Sequence, residues 1–330
     1  MLLLAFLLPA AVLFAFGVGR YPIAVAEILR FLLAACGLAE FDPQRYELLR
    51  NLIVDIRFPR IAAPVLVGAA LSAAGAAYQA VFRNPLVSPD LLGVLAGAAF
   101  GAAAGILLDG NWLLVQGLSF ACGLLAVSIG LAIATLFGVA SIITLVLGGV
   151  ISSALFASAL SMIKYVADPL SQLPVITYWL MGNIGMARMA QLPWMALPVL
   201  AGVLLLALLG RALDAMAMGD DEARTLGVPV QALRFAIIAA ATLVSAATVS
   251  VVGMIGWIGL VVPHIARLLV GPSNAVLIPA SALLGAAFLV LADVLARSAT
   301  GIEIPIGIVT QLLGIPVFIL VLGRVRRGWT

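Results

Sequence analysis

Between Arg57 and Gly101 the chain carries two apolar stretches joined by one short polar turn, and few folds tolerate that arrangement. Arg57-Phe58-Pro59-Arg60 opens about 20 apolar or small residues, enough to cross a bilayer as a helix, ending at Tyr78-Gln79-Ala80-Val81-Phe82. Arg83-Asn84-Pro85-Leu86-Val87-Ser88-Pro89-Asp90-Leu91-Leu92-Gly93 follows, and a second apolar run begins. A proline-marked turn of this specificity between lipid-soluble helices has to meet something in the water on its side.

The rest of the chain repeats the theme. Hydrophobic residues make up 65% of the sequence and charged residues 9%, against about 25% charged in ordinary soluble domains. Only helices and closed barrels satisfy every backbone group in lipid. Barrel strands alternate apolar and polar residues, and runs such as Leu197 to Leu209 do not. The expected fold class is therefore an all-α integral membrane protein forming one transmembrane domain over residues 1–330.

Charges, glycines and prolines divide the apolar runs into ten candidate spans: 2–19, 61–82, 88–108, 112–138, 142–163, 191–211, 231–250, 252–270, 276–297 and 305–323. Gly253, Gly256 and Gly259 are the reason for breaking 231–270 into two helices. The first run lacks the basic start of a signal peptide and reads as a span. An even number of spans puts both termini on one side, and Arg324-Val325-Arg326-Arg327 after the last span places that side in the cytoplasm. Arg83, Arg211, Arg224, Arg234 and Arg267 then fall inside. Arg20, Arg30, Arg45, Arg50, Arg57 and Arg60 fall outside, so charge counting alone does not decide the orientation.

Two connections read as outer-face segments. Residues 21–56 mix Glu27, Glu40, Asp42, Glu47 and Asp55 with apolar residues, the pattern of an amphipathic helix on the surface. Residues 164–190 include Asp168-Pro169-Leu170-Ser171 and the aromatics Tyr178 and Trp179, which suit the membrane interface or a short helix capping a pore. Within the spans, Gly68 to Ala77 is almost all Gly, Ala and Ser, so the second span belongs inside a bundle where helices approach closely.

The most polar inner connection is the segment 214–230. Gly219 precedes Asp220, Asp221 and Glu222, whose negative charge suits a helix start, and Gly227 with Pro229 ends that helix after Ala223, Arg224 and Leu226. A short capped helix outside the membrane is either a solvated loop element or a lever between subunits. Arg57, Arg60 and Arg297 form a cationic outer rim, readable as interfacial snorkelling or as a docking surface for an acidic partner. Asp293 and Arg297 are spaced to pair on one helix. His264, the one histidine, has no second ligand nearby in sequence and makes a poor metal or haem site. Cys36 and Cys122 give no zinc spacing, and Cys122 reads as a small core residue. No basic block points to nucleic acid.

These motifs, in this order, resemble the permeases of the iron-chelate/cobalamin class of ABC importers, which carry iron–siderophore, haem or vitamin B12. The resemblance runs from about Arg57 to Gly323 through the Arg83-Asn84-Pro85-Leu86 turn, Gly219 to Gly227, Pro263-His264-Ile265-Ala266-Arg267 and Glu303-Ile304-Pro305-Ile306-Gly307. It implies the type II ABC importer permease fold and a homodimer around a central pathway. Two ATP-binding subunits would dock at Gly219–Gly227, and a periplasmic or lipid-anchored binding protein would dock at Arg57, Arg60 and Arg297. It places Asn84, Leu86, Ser141, Ile142 and Ile143 at the cytoplasmic gate. The chain lacks a Gly-x-x-x-x-Gly-Lys-Ser/Thr loop, so the resemblance puts ATP and magnesium on the partner ATPase and no cofactor or catalytic site here.

The rival readings are an ion-coupled secondary transporter and an intramembrane enzyme. The first wants ionisable residues in mid-membrane, whereas charge here is nearly confined to span ends; the second wants a catalytic constellation that is not apparent. Within the family, an oxyanion such as molybdate is the alternative cargo.

Overall fold

The structure is a computed structural model that describes residues 1–18, 23–136 and 141–327. Arg20 and Tyr21, and the end of the fourth candidate span, lie outside the described residues. In chain order the helices are α1 (Leu2–Gly17), α2 (Val25–Ala35), α3 (Pro43–Arg50), α4 (Phe58–Val81), α5 (Val94–Leu107), α6 (Trp112–Leu136), α7 (Ile142–Val166) and α8 (Gln172–Leu180). They continue as α9 (Leu192–Leu208), α10 (Gly210–Met218), α11 (Asp220–Thr225), α12 (Val230–Val252), α13 (Ile258–Val270), α14 (Asn274–Ser298) and α15 (Ile306–Arg327).

Among the described residues, five helices are long and apolar enough to cross a membrane, and α9 with α10, bent by 50° at Leu209, makes a sixth. Four shorter apolar helices, in α1, α5, α13 and α15, complete the ten segments expected. The break expected at the glycines falls at 253–257, an extended stretch between α12 and α13. The segment 164–190 contains the short helix α8; Asp168 caps its approach, accepting from Leu170 N at 2.9 Å and from Ser171 N at 2.7 Å.

One boundary differs from the expectation. Where the expectation is one amphipathic helix over 21–56, the described residues 23–56 hold two helices, and the second does not stop at the span. Asp42 caps α3 through Arg45 N at 2.8 Å, with Pro43 at the first helical position. A single π-helical stretch, Asn51–Arg57, then carries the chain into α4, so Pro43–Val81 is one 39-residue helix. Asp55 and Arg57 mark a polar edge in the sequence, but polarity changes the environment of a helix without ending it.

α4 is the central helix: 78% of the apolar part of its span is buried, against 33% for α6 and 28% for α7, which therefore leave most of their surface outside the chain's own core. Small residues make this possible. A Cβ added to Gly68 would sit 2.6 Å from the carbonyl carbon of Gly285 on α14, and one added to Gly75 would sit 2.8 Å from Gly259 Cα on α13. Backbones that approach this closely gain dispersion contact where hydrophobicity gives no driving force. Across the α4–α12 seam, Tyr78 Oη and Thr242 Oγ1 share a hydrogen bond of 3.0 Å. Ser245 and Thr248 return their hydroxyls to the Ala241 and Val244 carbonyls of their own helix, so neither hydroxyl is left unmet.

α4 also orients the molecule. Its first turn lies beside Glu303, and its last leads to Arg83 beside Asp220. These are the Glu303 end and the α11 end of the bundle.

Candidate functional site

At the α11 end the chain leaves the bundle through a sharp bend. Gly210 starts α10 against α14: a Cβ there would lie 2.6 Å from Ala275 Cα, so only glycine permits the crossing. Four residues on, Asp214 caps α14. Its Oδ1 accepts from Asn274 N at 2.6 Å and from Asn274 Nδ2 at 2.9 Å, and its Oδ2 accepts from Ser273 Oγ at 2.8 Å. A carboxylate at a helix N-terminus satisfies orphan amides and meets the positive end of the dipole.

Gly219 then turns the chain with φ +143°, and α11 begins with three acidic residues in its first turn. Asp220 faces inward. Its carboxylate meets Arg234 Nη2 at 2.8 and 2.9 Å and Arg83 Nη2 at 3.1 Å. Burial raises the Asp220 pKa, but the Arg234 hydrogen bond and the charges of Arg234, Arg83 and Arg224 outweigh it and hold the carboxyl below its ordinary value. A depressed pKa contributes stability above the unfolded value of about 3.9, lost as pH falls through the folded value. Thermal stability in detergent is therefore expected to be flat through neutral pH and to fall in acid below about pH 4, with a smaller acid step in Asp220→Asn. A fluorescence melt across pH, run on both proteins, measures it.

The far side of α11 is presented to solvent. Asp221 is 90% exposed and Leu226 62%, while Ala223 is fully buried. Gly227, at φ +78°, closes the helix: its N–H bonds to Arg224 O at 2.9 Å and Val228 N to Ala223 O at 3.0 Å. Every residue singled out in this segment, Gly219 to Gly227, lies on this one short projection, where the exposed Leu226 stands beside Asp221 and Arg224.

The turn after α4 sits beside it. Arg83 adopts φ +47°, and Asn84 Oδ1 accepts from Leu86 N at 2.9 Å, leaving Leu86 exposed. Ser141 caps α7 in a reciprocal box with Thr144, and Ile143 is 71% exposed next to half-buried Ile142. Beyond the turn, a cavity of about 540 Å³ runs among Leu71, Ser88, Asp90, Met254, Trp257 and Gln311. Among the described residues, Asp90 is the one charged residue in its wall.

The Glu303 end holds Arg57, Arg60 and Arg297, and all three point into the protein. Arg60 pairs with Glu303 at 2.9 Å and Asp293 at 3.4 Å. Arg297 pairs with Asp293 at 3.4 Å, the spacing expected along α14, and donates to Ala15 O at 2.6 Å. Arg57 donates to Phe16 O. Arg57 and Arg297 are buried. Sequence reasoning found the arginines and missed the carbonyl acceptors at the end of α1, because a carbonyl has no letter in the sequence. It also missed Asp214 as a cap and the Arg83–Asp220–Arg234 bridge, although Arg83 and Arg234 had been placed on the same side as α11. His264 packs edge-on against Phe318, ring centroids 6.1 Å apart, and no three His, Cys, Asp or Glu side chains converge among the described residues.

A bundle of ten apolar segments, with a cavity among its helices and a short charged projection at one end, is the architecture of a multi-pass membrane protein. The model of the FecCD transport family matches residues 6–324. The molybdate import system permease MolB of Haemophilus influenzae is 35% identical over 98% of this chain and 95% of its own length. The cobalamin import system permease BtuC of Halobacterium salinarum is 41% identical over 82% of this chain and 73% of its own. A solved metal-chelate type ABC transporter in an inward-facing conformation superposes with a TM-score of 0.86 at 33% identity, covering 97% of both chains. The chain belongs to the FecCD transport family and is a permease subunit of an ABC importer. The family expected from the Arg83 turn and the Gly219 segment is the one found.

Proposed function

We propose that this chain forms half of the pathway of an ATP-driven importer for a metal chelate, iron–siderophore or haem first and cobalamin next. The observation that carries the reading is α11: a six-residue helix, exposed on one side and bridged on the other to the bundle through Arg234 and to the turn after α4 through Arg83. Two copies enclose the pathway. Two ATP-binding subunits, which supply ATP, magnesium and hydrolysis, engage Asp221, Glu222, Arg224 and Leu226, and their closure moves the helices by alternating access. No covalent chemistry falls to the permease. Asn84, Leu86, Ser141, Ile142 and Ile143 act as the gate on that side.

The chain sits in a prokaryotic cytoplasmic (inner) membrane with both termini inside, a reading that rests on Arg324, Arg326 and Arg327. A binding protein docks at the Glu303 end. Since Arg57, Arg60 and Arg297 already hold internal acceptors, docking there is an exchange of partners, in which the incoming protein's carboxylates compete with Asp293, Glu303 and the α1 carbonyls. A second reading, import of an oxyanion, is favoured by the likeness to the molybdate permease over 98% of the chain.

Proteoliposomes holding the chain with its ATPase test the proposal, given a binding protein and labelled chelates or molybdate. Uptake that needs both ATP and the binding protein supports it and names the cargo; uptake driven by an ion gradient without ATP overturns it. In the same assay Gly227→Arg places a long cation on the docking tip, in open space but at a left-handed φ. Uptake is expected to fall by about tenfold or more, with ATP hydrolysis persisting and the dimer intact on gel filtration.

A further inference from the structure

Taking the importer reading as its basis, a further role can be assigned to two residues outside the docking tip. The segment α10–α11 is fastened to the rest of the protein at separate points, each by a carboxylate. Asp214 grips the first turn of α14 through two backbone amides and two side chains, at 2.6 to 3.4 Å. Asp220 is a node: one carboxylate holds the buried Arg234 at the start of α12 and Arg83 at the start of the gate turn. Gly210 lets α10 lie directly on α14 between these fastenings and the bend from α9. Ala223 inserts under α11 with no exposed surface.

We propose that Arg83 and Asp214 are positioning residues that make α10–α11 a clamped lever, so that its displacement by the ATPase moves the 83–88 turn and α14 together. A short helix tethered only through its chain ends would tilt on Gly219 and Gly227 when pushed, because both glycines have the freedom to turn. The clamps remove that compliance. Arg83 is the arm to the gate: it precedes Asn84 and Leu86 directly, and its guanidinium is the one ionic link from that turn to α11 among the described residues. Asp214 is the arm to α14, the helix packed along the whole of α4.

The clamp gives a result that plain instability would not. Arg83 is partly exposed, so its loss leaves no buried charge behind. In the assembled transporter, Arg83→Gln is expected to lower the cargo imported per ATP hydrolysed by about tenfold, within the range of ordinary coupling energies. Arg83→Lys keeps a cation and the same backbone requirement at φ +47°, and is expected to recover most of the loss. Asp214→Asn retains one acceptor oxygen for α14 and is expected to lower the same ratio by a smaller factor. Gel filtration confirms an intact dimer for each variant. Wild-type ratios in Arg83→Gln, or Arg83→Lys as impaired as Arg83→Gln, overturn the gate arm; a wild-type ratio in Asp214→Asn overturns the arm to α14. Wild-type protein that imports nothing with ATP brings down the importer reading itself, a different outcome from a wild type that couples alongside variants that couple equally well.

Discussion

Gly68→Ala is expected to cost about 3 kcal/mol or more, the upper part of the range for overpacking a close-packed interior. The added methyl would lie 2.6 Å from the carbonyl carbon of Gly285 and 2.9 Å from Ala286 Cα. Both are backbone atoms of α14, a 25-residue helix held elsewhere by its Asp214 cap and by Arg60, so no rotamer change relieves the clash. The two helices must separate, and separation breaks dispersion contacts along the seam that includes Ser72 and Gly285. Gly75→Ala meets the same obstacle at α13, 2.6 Å from the Gly259 carbonyl carbon. Gly117→Ala on α6 has nothing within 4 Å and serves as the control. Melting in detergent and the yield of monodisperse protein are the readouts. A Gly68→Ala protein that melts with wild type would show that α4 and α14 are not this close.

Asp220→Ala is expected to destabilise the protein by about 2–3 kcal/mol, whereas Asp221→Ala, one residue on, is expected to change the melt little. Removing one partner of a buried ion pair typically costs about 3–5 kcal/mol because the survivor keeps its desolvation penalty. The figure is reduced here because the Asp220 side chain is 29% exposed and water screens part of the loss. Arg234 is the survivor, with a side chain 2% exposed. Asp221 pairs with Arg224 at 3.1 Å, but the two are 90% and 57% exposed, and such pairs contribute almost nothing. The decisive comparison is Asp220→Ala with Arg234→Met. If the cost is a stranded guanidinium, the double variant recovers most of the stability; if it is as unstable as the single variant, the Asp220 carboxylate matters for another reason.

The sequence announced local features and was silent on distant ones. The break at 253–257 could be read because glycines interrupt an apolar run, and α11 because Gly219, three acids and Gly227 follow the order of a capped helix. The second span was visibly interior, since nothing but close packing explains nine small residues among the ten from Gly68 to Ala77. The continuity of Pro43–Val81 was hidden because Asp55 and Arg57 look like a membrane edge, and a π-helical turn has no sequence mark. The arginines of the Glu303 end were legible as cations and Asp293 as a partner of Arg297, but their other acceptors were not. Arg60 meets a carboxylate 243 positions away, and Arg57 and Arg297 meet main-chain oxygens. Asp214 looked like one more charge in a polar loop, because a cap for another helix follows neither helical nor strand periodicity.

The grip on α1 has a consequence for how this protein can change. Arg57 and Arg297 hold Phe16 and Ala15 by their carbonyl oxygens, not by their side chains. Any amino acid at those two positions offers the same oxygen. The exposed face of the first helix can therefore drift in composition while the helix stays attached, provided it remains apolar and ends at the same height, whereas Ala11 and Ala15 are confined by their burial. The two arginines have no such latitude, since they belong to the lock and the helix end is a generic key.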